Sequence, residues 1–493
     1  MLFNTPVFVL GFLPAMLAVF FLAGRWGGVG GALAAVIGGS LVFYAWWNPP
    51  YVLLLGGSIL VNYALARRID AARPGNRARR WLIVGLVFDL GLLGVFKYAD
   101  FVWGSLAALT GALTGRAAPA SGIVLPLAIS FFTFQQVMFL VDTARSGCPA
   151  RNLRDYAAFI AFFPHLIAGP IVRPAEIIAQ LRRPALARPD AEALAAGATL
   201  FLLGLAKKLV LADAFGALAD PGFAAAAAGA QPSLLEAWVA TLAYALQIYF
   251  DFSAYSDMAI GLARMLNVRF PLNFDSPYQA RGIGDFWRRW HITLGRFLRD
   301  YVYIPLGGNR SGAWRAGCNL MATMLLCGLW HGAAWRFVLW GGLHGVFLIT
   351  ERLWRRLGLR LPGLLAQCLT LAAVILAWVP FRAEGMAASG AMLRGLAGLN
   401  GCALPAMIWR ALPWVQPFFR PVAMLAHLGD ARTLALPQAV ALLALGWAIV
   451  LFLPSLHRMR RNGQMRALVA GFALSMQGLF FAPHVAPFLY FRF

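Results

Sequence analysis

The amino-acid sequence predicts an all-α polytopic integral membrane protein, and three observations predict it. Of its 493 residues, 61% are hydrophobic and only 12% are charged, where an ordinary soluble domain carries about 25% charged residues. Apolar stretches of about 17 residues or more recur along the whole chain, each long enough as a helix to cross a ~30 Å hydrocarbon core. The basic residues, finally, are gathered in short tracts between those stretches. Mean hydropathy is +0.70. One membrane bundle fits these facts better than the several soluble domains that length alone would allow.

In chain order, the run FVLGFLPAMLAVFFLAG predicts a first span at 6–24. It has neither the positive n-region nor the small-residue cleavage site of a signal peptide, so it reads as a retained span. Further spans are expected at 29–47, 51–66, 81–97, 122–141, 154–169, 194–212, 234–266, 317–331, 334–350, 364–381, 437–454 and 467–487, with a weaker stretch at 101–113. Together they predict about eleven to thirteen membrane-embedded helices. The segment 213–233 (DAFGALADPGFAAAAAGAQPS) reads as an Ala/Gly/Pro-rich connector and 383–436 as a longer, partly amphipathic one. There is no internal repeat, and residues 1–493 are expected to form a single membrane domain with a catalytic core at about 247–345.

The formal net charge of +23 does not indicate a nucleic-acid partner. The cations sit in tracts such as RRIDAARPGNRARR (Arg67–Arg80), the group Arg173, Arg182, Arg183 and Arg188, and HRMRRNGQMR (His457–Arg466). Such tracts mark cytoplasmic loops and lipid headgroup contact. With Arg67–Arg80 cytoplasmic, three preceding spans place the N-terminus outside. The five cysteines (Cys148, Cys318, Cys327, Cys368, Cys402) show no paired short spacing, hence no disulfide framework and no metal signature.

The stretch 247–345 differs from its flanks, because it holds five of the 14 aspartates and three of the seven histidines. Ionisable residues at membrane depth are costly and are functional candidates by default. Taken as one helix, DFWRRWHITLGRFLRDY (Asp285–Tyr301) places Phe286, Trp287, Trp290, Leu294, Phe297, Leu298 and Tyr301 on an arc of roughly 120°. Arg288, Arg289, Arg296 and Arg299 fall opposite, and His291 lies at the edge of the apolar arc. Partial desolvation there would favour a neutral imidazole able to accept a proton; a histidine that merely hydrogen-bonds a neighbouring helix is the competing reading.

In LWHGAAWRFVLWGGLHG (Leu329–Gly345), His331 is followed by Gly332, Ala333 and Ala334. These leave room for a substrate at its ring, or simply allow close helix packing. His344 lies about 140° away on a continuous helix and shares a site only if the helix breaks at Gly341–Gly342. Asp251 and Asp257 are about 120° apart on one helix, so they are no face-to-face dyad. Each is better suited to holding a helix, by hydrogen bonding or by pairing with an arginine, than to chemistry. The turn-rich NFDSPYQARGIGD must leave the helix, which membrane depth tolerates only where protein or a wet cavity shelters it. No phosphate loop, GxSxG elbow or HExxH motif is present. Two histidines among small and aromatic neighbours point to base-assisted attack by a hydroxyl.

LNFDSPYQARGIGDFWRRWHITLGRFLRDYVYIPLGGNR (Leu272–Arg310), followed by LWHGAAWRFVLWGGLHG, resembles the core signature of the membrane-bound O-acyltransferase family, closest to its bacterial alginate O-acetyltransferase branch. NYALARRI, LGVFKYADF, LPLAISFFTFQ, FFPHLIAGPIVRP, AWVPFRAE and FLYFRF agree in order. The resemblance implies a ring of helices around a thinned, tunnelled centre, where an acyl donor from the cytoplasm meets an acceptor from outside. It implies His331 and His291 as the catalytic pair: His331 as general base, worth about 10²–10⁴-fold, and His291 as donor-orienting or oxyanion-stabilising. Candidate substrate- and donor-binding residues are Trp287, Arg288, Arg289, Trp290, Arg296, Asp251, Asn273, Asp285 and Trp330. No bound cofactor or metal is expected; acetyl-CoA or another acyl thioester is the donor substrate.

The expected activity is O-acetylation of an exported polysaccharide such as alginate, from the bacterial inner membrane. The expected partners are a periplasmic hydrolase-like O-acetyltransferase, the polysaccharide synthesis and export machinery, and membrane lipid. D-alanyl transfer to teichoic acid, peptidoglycan O-acetylation and, outside enzymes, a proton-coupled transporter or flippase are the alternatives.

Overall fold

In a computed structural model the chain is helical nearly throughout; the described residues are 1–114, 123–310, 312–422, 425–427, 436–456, 464–481 and 488–489. Its α-helices are α1 (Leu13–Ala45), α2 (Tyr51–Ala71), α3 (Asn76–Leu93), α4 (Ala99–Thr114), α5 (Ile129–Ser146), α6 (Leu153–Ala161), α7 (Phe163–Leu166), α8 (Pro174–Leu181), α9 (Ala191–Ala206) and α10 (Asp213–Ala227). They continue as α11 (Leu234–Met265), α12 (Ile283–Arg289), α13 (Ile292–Leu298), α14 (Gly312–His331), α15 (Trp335–Arg356), α16 (Gly363–Arg382), α17 (Met386–Leu396), α18 (Ala406–Ala411), α19 (Leu436–Phe452) and α20 (Gln464–Phe481). Two three-residue strands, β1 (Ala403–Pro405) and β2 (Arg420–Val422), pair in parallel inside the segment read as a connector.

Among the described residues, five helical runs are long and apolar enough to cross a membrane: Val7–Ala45, Tyr51–Ala71, Asn76–Thr110, Ala191–Ala227 and Gly363–Arg382; Pro437–Phe452 is shorter. The chain is a multi-pass, all-α membrane protein. Three of these runs have 35 to 39 residues, more than 50 Å at ~1.5 Å per residue and well beyond one crossing of a ~30 Å core. The first is interrupted at Gly28, whose backbone (φ 59, ψ −151) leaves the helix. The spans expected at 6–24 and 29–47 are its two halves.

Two expectations fail. The span at 154–169 is not a span. Helix α6 ends at Phe162, whose ψ of 102 turns the chain, and Pro164 sits in the first turn of the four-residue α7. Proline lacks the N–H a continuing helix needs but suits a helix start. The connector at 213–233 is largely helix α10, with Pro221 inside it. Alanine has the highest helix propensity, and Gly222 lets the helix approach α11 so closely that an added methyl would lie 2.7 Å from Ala240 Cβ. The basic tract His457–Arg466 lies largely outside the described residues, as does FLYFRF apart from Phe488 and Leu489.

Two compact units compose the chain. The first comprises Met1–Leu205, Tyr255–Leu272 and Asn462–Leu479. Its interior holds a polar network in which Asn62 Nδ2 donates to Asp89 (2.8 Å) and Gln136 Nε2 donates to Ser58 Oγ (3.0 Å). The second comprises Ala206–Ala254, Asn273–Arg461 and Phe480–Phe493. Its centre is the antiparallel hairpin α14–α15, packed backbone to backbone. A side chain at Gly328 would run into the Phe337 carbonyl, and one at Gly341 into the Met324 carbonyl. Small residues at such crossings let membrane helices approach.

Candidate active site

Asn273, His291 and Thr293 meet within the second unit, around a break the sequence did not show. Asp285–Tyr301 is not one helix. α12 ends at Trp290 (φ −100, ψ 125), and His291 adopts the left-handed conformation (φ 45, ψ 52) before α13 starts at Ile292. For a non-glycine residue that conformation costs roughly 1–3 kcal/mol and persists only where its surroundings enforce it.

Here the loop that leaves α11 enforces it. The Asn273 carbonyl accepts the Ile292 N–H (2.9 Å) and the Arg289 carbonyl accepts the Asp275 N–H (2.9 Å), so the loop clamps the break on both sides. The Asn273 side chain completes the clamp. Its Oδ1 accepts from Thr293 N (3.3 Å), from Thr293 Oγ1 (2.9 Å) and from His291 Nδ1 (3.1 Å).

These contacts fix a proton. A backbone N–H can only donate, so the Asn273 atom it meets is the amide oxygen rather than the nitrogen. His291 Nδ1 must then carry the hydrogen. In the neutral ring Nε2 is therefore a lone-pair acceptor, and it is buried with no protein hydrogen-bond partner. The imidazole is fully buried, edge-on to Phe252 (centroids 4.7 Å apart, 87°) and 6.3 Å from Trp330. In this tautomer neutral His291 can accept a proton through Nε2 and does not donate through it.

His331 ends α14. Its ring is boxed by Trp330 (4.9 Å), Trp340 (5.1 Å) and Phe381 (5.1 Å), the latter two nearly perpendicular to it. Arg336 Nη1 donates to the Phe381 carbonyl (2.6 Å) and so fixes one wall of the box. The space beside Gly332 is not free, because a side chain there would meet the Phe337 ring. The glycine serves packing, not substrate entry. Trp330, adjacent to His331 in sequence, neighbours both candidate imidazoles, 4.9 Å from His331 and 6.3 Å from His291.

Helix α15 runs unbroken through Gly341–Gly342, so His344 is not brought to His331 by a break. The Trp340 ring contacts both, 5.1 Å from His331 and 4.9 Å from His344. His344 Nδ1 accepts the Trp287 indole N–H at 3.3 Å, which gives both residues a structural use.

The remaining candidates divide. Trp290 is buried against Trp378 (5.0 Å) and Phe286 (5.6 Å, stacked). Asp285 pairs with Arg288 (3.5 Å) and Arg289 (3.1 Å). Arg289 and Asp285, with Arg281, Gln279, Gln367 and Leu451, line a polar cavity of about 420 Å³. Arg288 is 65% exposed and does not line it. Arg296 lies on α13, half-buried, and Arg299 pairs with Asp300 at 2.8 Å. Asp251 is buried in an ion pair with Lys208 (2.6 Å), which also meets Asp213 (2.7 Å), and accepts the Leu489 N–H (2.9 Å). These contacts tie α11 to Lys208 and to the Leu489 backbone. Asp257 belongs to the first unit, where it is buried.

Sequence reasoning missed Arg281, Thr293, Trp340 and Phe381. Phe381 lay within AWVPFRAE, but an aromatic wall carries no pattern that separates it from ordinary core. Among the described residues no three of His, Cys, Asp and Glu cluster as a metal site would require.

The chain's similarities to known proteins point to one family. The model of the membrane-bound O-acyltransferase family matches residues 150–362, which include Asn273, His291 and His331. The chain is 40% identical over 442 residues to a peptidoglycan O-acetyltransferase of Helicobacter pylori, covering 82% of this chain and 81% of that protein. It is 43% identical over 393 residues to a probable alginate O-acetylase of Pseudomonas aeruginosa, covering 78% and 73%. To a teichoic acid D-alanyltransferase of Streptococcus thermophilus it is 28% identical over 242 residues, covering 47% and 57%. A buried pair of histidines in an all-α membrane protein, inside the matched segment and with relatives aligned over most of both chains, identifies this chain as an acyltransferase belonging to the membrane-bound O-acyltransferase family.

Proposed function

We propose that the protein transfers an acetyl group from a cytoplasmic acyl thioester, such as acetyl-CoA, for O-acetylation of an exported polysaccharide at the bacterial inner membrane. The observation that carries this reading is the pair of buried imidazoles beside Trp330, one of them with a bare acceptor nitrogen. The acyl group and the acceptor class are supported by two O-acetylating relatives near 40% identity over most of both chains, against 28% over about half for the D-alanyl relative.

In this reading His331 removes the proton from an incoming hydroxyl, of the glycan or of a periplasmic hydrolase-like partner's serine. The oxygen attacks the thioester carbonyl, the C–S bond breaks, and the proton passes to the leaving thiolate, so an ester and a free thiol result. His291, its Nδ1–H committed to Asn273, orients a reactant by accepting its proton at Nε2. In this reading Arg281 and Arg289, which line the polar cavity beside Asp285, contact an anionic donor group such as a phosphate. With Arg67–Arg80 cytoplasmic, the N-terminus lies outside.

The test is mild alkaline release of acetate from extracellular glycan in wild type, a deletion strain, and the deletion strain carrying His331→Ala at equal expression. Ester acetate from wild type alone is expected. Acetate from His331→Ala at the wild-type level would overturn the mechanism, and alkali-labile D-alanine in place of acetate would overturn the acyl assignment.

A further inference from the structure

The first unit contains a cavity of about 890 Å³ that none of the chemistry above uses. One wall is α1 at its Gly28 break, another is the turn Pro184–Ala187 with Arg188 and Pro189, and Leu194 of α9 closes the third side. Its size is in the range of small-molecule pockets, about 300–1,000 Å³.

The cavity is built rather than incidental. Gly24 lets the turn close on α1, since an added methyl would lie 2.9 Å from the Ala187 carbonyl. The turn itself is held by one side chain. Asn267, in the left-handed conformation (φ 60), donates its amide N–H groups to the carbonyls of Ala185 (3.1 Å), Leu186 (3.2 Å) and Arg188 (2.7 Å). Opposite the turn, the positive φ at Gly28 diverts α1 at the cavity wall.

The lining has two chemistries. Leu17, Phe21, Leu22 and Leu194 make an apolar surface, while Arg25 and Arg188 supply two cations and no acidic residue lines the space. Among the described residues neither arginine forms an ion pair. Trp26, beside Arg25, is 80% exposed; tryptophan next to arginine at a span's end is the pattern of a membrane–water interface. An inorganic anion would leave the apolar wall unused, and a neutral hydrocarbon would leave the two exposed arginines at its rim without a counter-charge. The ligand that satisfies both parts has an anionic head and an apolar chain.

We propose that this cavity binds one anionic glycerophospholipid, its phosphate between Arg25 and Arg188 and an acyl chain along Leu17, Phe21 and Leu22. Basic side chains at a membrane surface draw anionic headgroups in this way. The site is independent of the acyl-transfer reading, since no candidate active-site residue lines it.

The experiment is native mass spectrometry of the full-length protein, purified in detergent, stripped of lipid and titrated with phosphatidylglycerol or phosphatidylcholine. Wild type is expected to retain one phosphatidylglycerol in preference to phosphatidylcholine. The double variant Arg25→Gln/Arg188→Gln should bind it at least about tenfold more weakly. Ala18→Trp, which fills the apolar side from an exposed position with both arginines intact, should also lose it. Unchanged melting temperatures of the lipid-free variants show that the fold survives. Wild-type binding by either variant, or equal binding of phosphatidylcholine, would overturn the proposal. Displacement of the lipid by equimolar inorganic phosphate would make the site one for a free anion and overturn it equally.

Discussion

His165 in the first unit and His291 in the second are both fully buried, both aromatic-lined and both hydrogen-bonded, yet their nitrogens are used differently. His165 Nε2 faces the Phe159 carbonyl at 3.0 Å. A carbonyl only accepts, so Nε2 carries the hydrogen and Nδ1 is left to accept from the Gln135 amide, which it contacts. Both positions are consumed by the fold. His291 spends only Nδ1, on Asn273, and keeps Nε2. Burial and residue type are the same in the two places; what separates a fastening from a reactive group is the nitrogen left over. His344 sharpens the point, for its Nδ1 accepts from Trp287 and its remaining hydrogen is on Nε2, a donor rather than a base.

Substitutions at these residues test the comparison. The largest effect is expected for His291→Ala, which should lower the rate of ester formation by about 10²-fold or more with little change in melting temperature. A rate within a fewfold of wild type would remove His291 from the chemistry.

Asn273 comes next, because it acts through His291. Asn273→Ala frees the His291 tautomer and the Thr293 anchor while leaving the two main-chain bonds of the clamp in place, and a loss of about 10-fold to 10²-fold in kcat/KM is expected. Asn273→Asp retains an oxygen that can accept all three hydrogen bonds, so it should recover most of that loss. If the aspartate variant is no better than alanine, the amide has a role other than accepting those bonds. The smallest effect on turnover belongs to His165→Ala. It leaves the Phe159 carbonyl and the Gln135 amide unpaired in the interior, at about 1–3 kcal/mol each. The protein should therefore melt several degrees lower while each folded molecule turns over normally. A specific activity reduced as far as in His291→Ala would abolish the distinction.

Much of this site was legible in the sequence, and the unreadable part has a physical cause. His331, His291, Asn273 and the arginines were marked by polarity in an apolar chain. The arc of Phe286 and Trp290 was legible too, since both rings are buried, Phe286 on α12 and Trp290 just past its end. What periodicity could not reveal is the break at His291. It is imposed by hydrogen bonds from a loop whose Asn273 lies eighteen positions earlier, and a single histidine inside a helical pattern does not mark where the helix will break. Gly332 misled for a related reason. A glycine beside a histidine looks like an opening, and only the position of Phe337 shows that the space is taken. Asp251 was ambiguous on its own helix because its partner, Lys208, is distant in sequence. The failures at 154–169 and 213–233 have opposite origins, a proline restarting a helix in one case and alanine propensity overriding turn-like composition in the other.

The hairpin that carries His331 constrains how this enzyme can change. At Gly328 and Gly341 the obstacle to a side chain is a peptide carbonyl of the facing helix. A carbonyl cannot be trimmed by a second substitution, as a bulky neighbour can. A methyl group at either position therefore has no compensating mutation within the hairpin. Walls made of side chains, such as Phe381 and Trp340 around the same imidazole, can be exchanged one residue at a time. The aromatic box around His331 can therefore be remodelled residue by residue, while the helix crossing beside it stays fixed.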